Sequence, residues 1–268
     1  MKIGKETIPK TAISTSDEDS ITVRGYNLAA ELIGKISFSD YFFLLLTGRR
    51  PDAAALTVLD ATLVAIAEHG LVPSVQASRM TLSAAPDALQ GAVAAGILGC
   101  GSVILGASET AGRLFKEIDE RATAPGGDIE SAARDLIQGL RDARKAIPGY
   151  GHPLHKERDP RVAALFSVAS ESGANMRFVE IAEAVERIIP TVVGKELRLN
   201  VSAAIPAVLL GVDFPISALK GVPILARTGG LIAHLAEELE RPIGFALSYQ
   251  ASREAIYDGE PSAPAASD

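Results

Sequence analysis

The sequence contains a single cysteine, Cys100, in 268 residues. One thiol cannot form an intramolecular disulfide, nor can it build a zinc site from cysteine ligands. The first 14 residues also lack an apolar core of the length that a signal peptide needs. These absences favour a cytoplasmic protein, which is the location we expect.

Positive charge is in the minority, since 26 lysines and arginines stand against 33 aspartates and glutamates and the net charge is −7. Nucleic-acid-binding domains normally carry a basic surface that displaces counterions, so this balance argues against a nucleic-acid partner. A small anionic ligand is compatible with it, because a few clustered arginines can bind an anion locally. The apolar fraction of 47% excludes disorder over most of the chain.

Long uncharged runs are scarce as well, and the one that is long enough to span a membrane covers residues 88–108. Glycines and a glutamine recur along this run and weaken its tendency to insert into a bilayer. We therefore predict a buried helix rich in glycine and alanine, followed by a loop, and we expect no membrane partner.

Helical periodicity dominates the rest of the sequence. Ser37 to Asp40 has the pattern of a capping box that opens a helix over residues 41–47, and Gly48 is placed to end that helix. Residues 21–26 are the one candidate for a short strand. Apolar stripes at helical spacing cover residues 56–66, 178–189 and 231–239. The predicted fold class is all-α.

A loop rich in glycine and proline, residues 147–153, surrounds a tyrosine and His152. Its glycines let backbone N–H groups approach a ligand closely, and loops carry function more often than helices do. A helix predicted to start near Asp159 puts Arg161 at its N-terminal end, where a carboxylate or a phosphate is favoured. Three cations follow the histidine, namely Lys156, Arg158 and Arg161. A solvated basic turn is the alternative interpretation.

A metal site and a dinucleotide site are weaker interpretations of this sequence. His152 and His155 lie three residues apart, but Pro153 between them opposes helical geometry and no second cluster has metal-ligand spacing. Gly99 to Gly101 resembles a dinucleotide-binding loop loosely, because no strand is predicted before it. We therefore expect no metal and no redox cofactor.

Four segments resemble motifs of the citrate synthase family, in the family's order and over most of the chain. Residues 21–51 resemble its RGY element and leucine-rich helix, and residues 68–79 resemble its histidine-bearing helix end. Residues 147–161 resemble its GxGH loop followed by DPR, which is the most specific of the four. Residues 226–242 resemble its C-terminal arginine elements. The chain is shorter than a typical citrate synthase and nearer in size to the citryl-CoA lyase module of ATP-citrate lyase.

The resemblance implies an all-helical fold in which a small domain is inserted into a large one. The large domain is expected at residues 1–105 and 200–268, and the small CoA-binding domain at residues 106–199. Residues 259–268 are expected to form a flexible tail. The family is dimeric and shares one arginine across the interface, so the resemblance also implies a homodimer or a higher homo-oligomer.

The same resemblance assigns roles to individual residues. The catalytic positions fall on His152 and Ser202, and the CoA-binding backbone falls on Ile147, Pro148, Gly149, Tyr150 and Gly151. The substrate-binding positions fall on His69, Arg161, Arg227 and Arg241. Surface salt bridges are the alternative role for Arg227 and Arg241, and stabilisation by a helix end is the alternative for His69.

Two positions depart from the family pattern. The family's first catalytic histidine is replaced by Ile104, and its catalytic aspartate is replaced by Ser202. Synthesis needs a base for the thioester methyl group and a donor for the enolate oxygen, and Ile104 can supply neither. Cleavage needs a base for the substrate hydroxyl, a role that fits His152.

The predicted function is therefore a carbon–carbon lyase. It would cleave citryl-CoA, or a related 3-hydroxyacyl-CoA, to acetyl-CoA and oxaloacetate or a related keto acid by retro-Claisen chemistry. Its partners would be this CoA thioester and the keto acid, with no further cofactor. A citrate synthase-type acyltransferase with a rewired base and a non-catalytic CoA-ester-binding protein are the alternatives.

Overall fold

The computed structural model describes residues 9–101, 105–151 and 158–259. Three short antiparallel strands come first in this part of the chain, β1 (Ser14–Ser16), β2 (Ile21–Val23) and β3 (Tyr26–Asn27). Their register pairs Thr22 of the middle strand with Thr15 and Asn27. The strand predicted within residues 21–26 is confirmed. The sequence pattern does not predict β1, because its exposed Ser-Thr-Ser segment shows no alternation of apolar and polar residues.

Helices supply most of the regular structure in the described residues, which confirms the predicted all-α class. They are α1 (Phe38–Thr47), α2 (Ala53–Ala67), α3 (Pro73–Ala84), α4 (Leu89–Leu98), α5 (Ala107–Thr123), α6 (Ile129–Asp142), α7 (Pro160–Glu171), α8 (Arg177–Val193), α9 (Val201–Leu210), α10 (Gly221–Glu240) and α11 (Gly244–Glu254). A π-helical turn (Leu28–Leu32) and a 3₁₀ turn (Ile216–Ala218) complete the set.

The described residues pack into two compact units. The first unit comes from the described residues within 1–67 and 102–226, and the second from those within 68–101 and 227–268. Residues 106–199, the predicted inserted domain, all fall inside the first unit. This division therefore does not test the predicted domain boundaries, which stay a prediction.

The predicted capping of α1 is confirmed at both ends of the helix. The Ser37 hydroxyl accepts a hydrogen bond from the Asp40 N–H, and Gly48 ends the helix in the left-handed conformation, with φ of +77°. The Asp40 carboxylate is bound by the Arg50 side chain through two hydrogen bonds. The local capping signal therefore predicts where α1 begins and ends. The partner of Asp40, in contrast, is Arg50, which lies beyond the helix.

The core of the first unit is built around α8 and α9. The apolar stripe of α8 is buried as its spacing predicts, and every residue of α9 except Ser202 is buried. A helix that is apolar on all sides belongs in the interior of a unit. The N-terminus of α9 therefore carries Ser202 out of the packed core.

In the second unit α3 and α4 pack closely through small residues. A Cβ on Gly96 would lie 2.7 Å from a Leu231 methyl group and 2.9 Å from the Ser74 carbonyl oxygen.

The uncharged run at residues 88–108 contains α4, whose ten residues extend roughly 15 Å. This is half the thickness of a bilayer core, so α4 is too short to cross a membrane. Ile216–Glu240 has the length and apolar composition of a membrane span. Leu231 and Leu235 of this segment are fully buried, as in the core helix of a globular unit.

Candidate functional site

The loop at residues 147–151 packs against the first turn of α9. Gly149 has φ of +85°, and a Cβ at this position would lie 2.5 Å from the Cβ of Ala203. A side chain cannot be accommodated there, so glycine is required by both the conformation and the contact. This close approach explains why the loop carries a glycine at position 149.

Asn200 ties this loop to α9. Its side-chain amide donates to the Gly151 carbonyl at 2.7 Å, and its side-chain oxygen accepts from the Ser202 N–H at 2.9 Å. Its backbone N–H also donates to the Gly149 carbonyl at 3.0 Å. The structure thus brings the glycine loop and Ser202 together, two of the features that the sequence singles out.

Two side chains of the loop are part of the core. Ile147 and Tyr150 are both 7% exposed, and the Tyr150 hydroxyl donates to the Ala182 carbonyl at 2.7 Å. Burial raises the pKa of Tyr150 well above its usual value of 10.0. These side chains anchor the loop, so the predicted binding of CoA by the loop rests on its backbone and on Pro148.

Asp159 begins α7, which confirms the predicted helix start. Its carboxylate accepts hydrogen bonds from the Arg161 N–H at 3.0 Å and, on two oxygens, from Arg161 Nε at 3.0 Å and Nη2 at 2.8 Å. Burial raises the pKa of Asp159, but the hydrogen bonds from Arg161 and from the Val201 N–H outweigh this effect and lower the pKa. Arg161 therefore lies beside the N-terminus of α9 with one edge of its guanidinium bound by Asp159.

Arg158 lies in a second network of the first unit. Its Nη2 atom is 3.0 Å from Glu186 and 3.3 Å from Glu183, and its guanidinium lies over the Phe166 ring at 5.7 Å. Glu186 also accepts a hydrogen bond from the Leu199 N–H at 2.7 Å. This arginine is therefore bound within the unit, while residues 152–157 of the basic turn lie outside the described residues.

A cavity of about 560 Å³ lies beside the segment that leads into the glycine loop. Its walls come from α5, α6 and residues 145–148. Charged groups of both signs line it, namely Arg113, Arg121, Lys145, Glu117 and Asp135. Apolar surface comes from Leu114, Leu136, Leu140, Ala146 and Pro148.

Arg227 is the most unusual side chain among the predicted residues. It is 3% exposed, and its Nε and Nη1 atoms are buried without a hydrogen-bond partner among the residues that the structure describes. A buried guanidinium normally has a carboxylate or carbonyl partner, because unsatisfied donors keep their full desolvation cost. This arginine therefore has the properties of an anion-binding group.

His69 and Arg241 lie in the second unit. The His69 N–H donates to Glu68 at 2.8 Å, and the other Glu68 oxygen lies 2.9 Å from His234 Nε2. Burial raises the pKa of Glu68, but the hydrogen bonds from His234, His69 and Gly70 outweigh it and lower the pKa. The Arg241 side chain is 78% exposed.

Sequence reasoning does not single out Arg79, which is 2% exposed and lies near Arg241. Its guanidinium contacts Glu237, Glu238 and the Arg241 carbonyl. Its position on the buried face of α3, in phase with Val75 and Leu82, is the signal that could have identified it.

His152, which is predicted to be catalytic together with Ser202, lies outside the described residues. The same holds for Ile104, His155, Lys156 and all of the predicted tail except Gly259.

A family model described as "Citrate synthase, C-terminal domain" matches residues 50–243. A citrate synthase from Synechocystis sp. is 29% identical over 211 residues, which are 76% of this chain and 50% of that protein. A citrate/2-methylcitrate synthase from Bacillus subtilis is 30% identical over 213 residues, 76% of this chain and 53% of that protein. The chain thus spans about half the length of the curated relatives it matches.

The structure is similar to that of a citryl-CoA lyase from Hydrogenobacter thermophilus. The two share 32% identity with a TM-score of 0.84, over 96% of this chain and 97% of that one. An ATP citrate lyase from Methanosaeta concilii, solved with (3S)-citryl-CoA, is similar over 97% of this chain and 43% of its own, with 23% identity and a TM-score of 0.78. At that identity the likeness concerns the fold alone.

Proposed function

The chain belongs to the citrate synthase family, and from this premise we propose that it is a carbon–carbon lyase acting on citryl-CoA or a related 3-hydroxyacyl-CoA. The similarity to a citryl-CoA lyase over nearly the whole of both chains supports this proposal. The products would be acetyl-CoA and oxaloacetate or a related keto acid.

The buried guanidinium of Arg227 is the observation that carries the proposal. Two of its nitrogens have no hydrogen-bond partner among the described residues, and both are shielded from water. Nε and Nη1 lie on different edges of the guanidinium, so a substrate carboxylate that accepts two parallel N–H groups, from Nη1 and Nη2, would satisfy one of these two buried donors. Arg227 therefore supports a ligand with a carboxylate, as both the hydroxyacyl thioester and the keto acid have.

The chemistry of the cleavage direction suits the two residues that are predicted to be catalytic, His152 and Ser202. His152 would take the proton of the substrate hydroxyl, and the oxygen's electron pair would form the carbonyl of the keto acid. The carbon–carbon bond then breaks, and its electron pair becomes the enolate of acetyl-CoA, which water protonates. Ser202 at the start of α9 is a poor base for a thioester methyl group, so this position favours cleavage over synthesis.

The cavity beside the glycine loop supports binding of the nucleotide end of CoA. Its apolar wall includes Pro148 and could pack against an adenine ring, and its cations include Lys145, which could contact a phosphate. Pro148 belongs both to the glycine loop and to the wall of this cavity. We propose that the adenosine part of the thioester binds here, in the first unit.

The test is to incubate the purified protein with citryl-CoA and to couple released oxaloacetate to malate dehydrogenase, following NADH absorbance. The wild type should turn over, and His152→Ala should reduce kcat by roughly 10²- to 10⁴-fold, with an unchanged thermal unfolding midpoint. Binding of citryl-CoA without turnover would contradict the lyase proposal and would indicate a CoA-ester-binding protein instead. Rapid release of CoA from acetyl-CoA and oxaloacetate would contradict the lyase proposal and would indicate a citrate synthase-type enzyme.

A further inference from the structure

The Arg79 guanidinium is fully engaged inside the second unit. Its side chain is 3% exposed, and its Nε donates to Glu238 at 2.6 Å. Its Nη1 donates to Glu237 at 2.8 Å, and its Nη2 donates to the backbone carbonyl of Arg241 at 3.2 Å. One planar group thus links α3 to the end of α10 at three points.

Glu238 continues this network into the turn between α10 and α11. One of its oxygens accepts from the Ser83 hydroxyl at 2.6 Å and from the Gly244 N–H at 2.7 Å. The Ile243 N–H lies 3.0 and 3.1 Å from its two oxygens. The turn at residues 241–244 is therefore held at its start by Arg79 and at its end by Glu238.

The side chain of Arg241 contrasts with its backbone. The backbone is fixed by Arg79, whereas the side chain is 78% exposed and lies 3.7 Å from Glu237, a contact of little energetic value in water. Buried ion pairs are costly to desolvate and are often no more stabilising than apolar residues of the same size. What the Arg79–Glu238 pair does achieve is a fixed backbone position for an exposed cation.

We propose that Arg79 is a positioning residue, which with Glu238 holds the Arg241 turn so that the Arg241 guanidinium projects toward a substrate carboxylate bound by another copy of the chain. This inference rests on the proposed function and on the substrate-binding role that the family resemblance predicts for Arg241. It adds a buried group that contacts no substrate and acts through the Arg241 backbone.

The test uses Arg79→Lys, which keeps the charge but has a single nitrogen in place of a fork that spans three acceptors. We expect Arg79→Lys to raise the KM for citryl-CoA roughly tenfold while kcat changes less than about twofold, because small displacements of a binding group are costly. In an Arg241→Ala background the same substitution should change KM by less than about twofold, since the group on which it acts is gone.

Arg50→Lys is the matched control, because two nitrogens of Arg50 also donate to a buried carboxylate, that of Asp40. It should leave KM unchanged in both backgrounds. An equal effect of Arg79→Lys with and without Arg241, or unchanged kinetics, would overturn the proposal. If Arg79→Lys fails to fold, Ser83→Ala replaces it. This change removes the hydroxyl that donates to Glu238 at 2.6 Å, and the same loss of effect in the Arg241→Ala background is expected.

Failure of the proposed function has a different signature. If the wild type binds oxaloacetate in calorimetry but does not cleave citryl-CoA, the lyase reaction is wrong, and the Arg79 variants are compared through the Kd for oxaloacetate. If the wild type neither binds nor cleaves, both proposals fall. If it cleaves and Arg241→Ala has no effect, the positioning proposal alone falls.

Discussion

Three arginines of this protein differ in how their guanidinium groups are satisfied. Arg79 has all of its nitrogens bound by carboxylates and a carbonyl, and Arg161 has two nitrogens bound by Asp159 and its third donating to the Ala65 carbonyl at 3.4 Å. Arg227 is as buried as Arg79 but has two nitrogens without partners among the described residues. Because a buried donor without a partner is costly, the first is a structural group, whereas the last is suited to a ligand.

Replacing Arg227 should therefore separate stability from binding. We expect Arg227→Met to raise the free energy of unfolding by about 1 kcal/mol, because it removes unsatisfied buried donors. The same variant should weaken oxaloacetate binding by about 2–5 kcal/mol. Urea unfolding and calorimetry measure the two quantities. The control Arg134→Met, at an exposed arginine of α6, should change each by less than about 0.5 kcal/mol. Reduced stability with unchanged binding would contradict the assignment.

At the scale of elements, the turn between α10 and α11 depends on one buried carboxylate. Burial raises the pKa of Glu238, but hydrogen bonds from Ser83, Gly244, Ile243 and Arg79 outweigh it and lower the pKa from 4.5 to about 2. A carboxyl whose pKa is lowered by folding stabilises the protein above its unfolded pKa. That contribution is lost as the pH falls from about 4.5 toward 2.

Glu238→Gln should show this pH dependence directly. We expect the variant to be less stable than the wild type by about 3 kcal/mol at pH 7, the equivalent of the pKa shift, and by progressively less below pH 4.5. Urea unfolding at pH 7, 4 and 3 measures the difference. Glu120→Gln, at an exposed glutamate of α5, should match the wild type at every pH. A difference for Glu238→Gln that is independent of pH would mean that charge is not the cause.

The contact between the glycine loop and α9 is a second feature at this scale. We expect Gly149→Ala to lower the free energy of unfolding by about 2–4 kcal/mol, through left-handed backbone strain and overlap with Ala203. Gly173→Ala is the matched control, since Gly173 has φ of +79° with open space around it and should cost about 1 kcal/mol. If thermal unfolding shows the same loss of stability for Gly149→Ala and Gly173→Ala, the loop must move to relieve the overlap with Ala203.

At the scale of the whole molecule, the proposed sharing of Arg241 between copies has a direct test. At a citryl-CoA concentration well below KM, His152→Ala subunits and Arg241→Ala subunits should each show little activity, but their mixture should recover activity. Random 1:1 mixing into dimers should restore about a quarter of wild-type activity, since half of the dimers are mixed and each has one complete site. Coexpressed, differently tagged subunits allow this measurement. A mixture as inactive as its parents would place Arg241 and His152 of one chain in the same site.

The amino-acid sequence by itself determined the all-α class, the family, and those helix ends whose signals are local. Ser37 and Gly48 bound α1, and Asp159 begins α7, because capping acts within a few residues along the chain. The buried stripe of α8 follows from its spacing in the same way. These features need no knowledge of what packs against each helix.

The tertiary structure alone decided how the polar side chains are partnered. Arg79 and Glu238 are 159 residues apart, and no periodicity reveals that they meet. Arg161 is bound by Asp159 and Ala65, whereas Arg227 keeps two donors without partners among the described residues, because the fold brings different acceptors near each guanidinium. The two compact units are likewise formed from distant segments of the chain. Long-range electrostatic pairing is a property of the packed fold, whereas helix capping and apolar spacing belong to the chain itself.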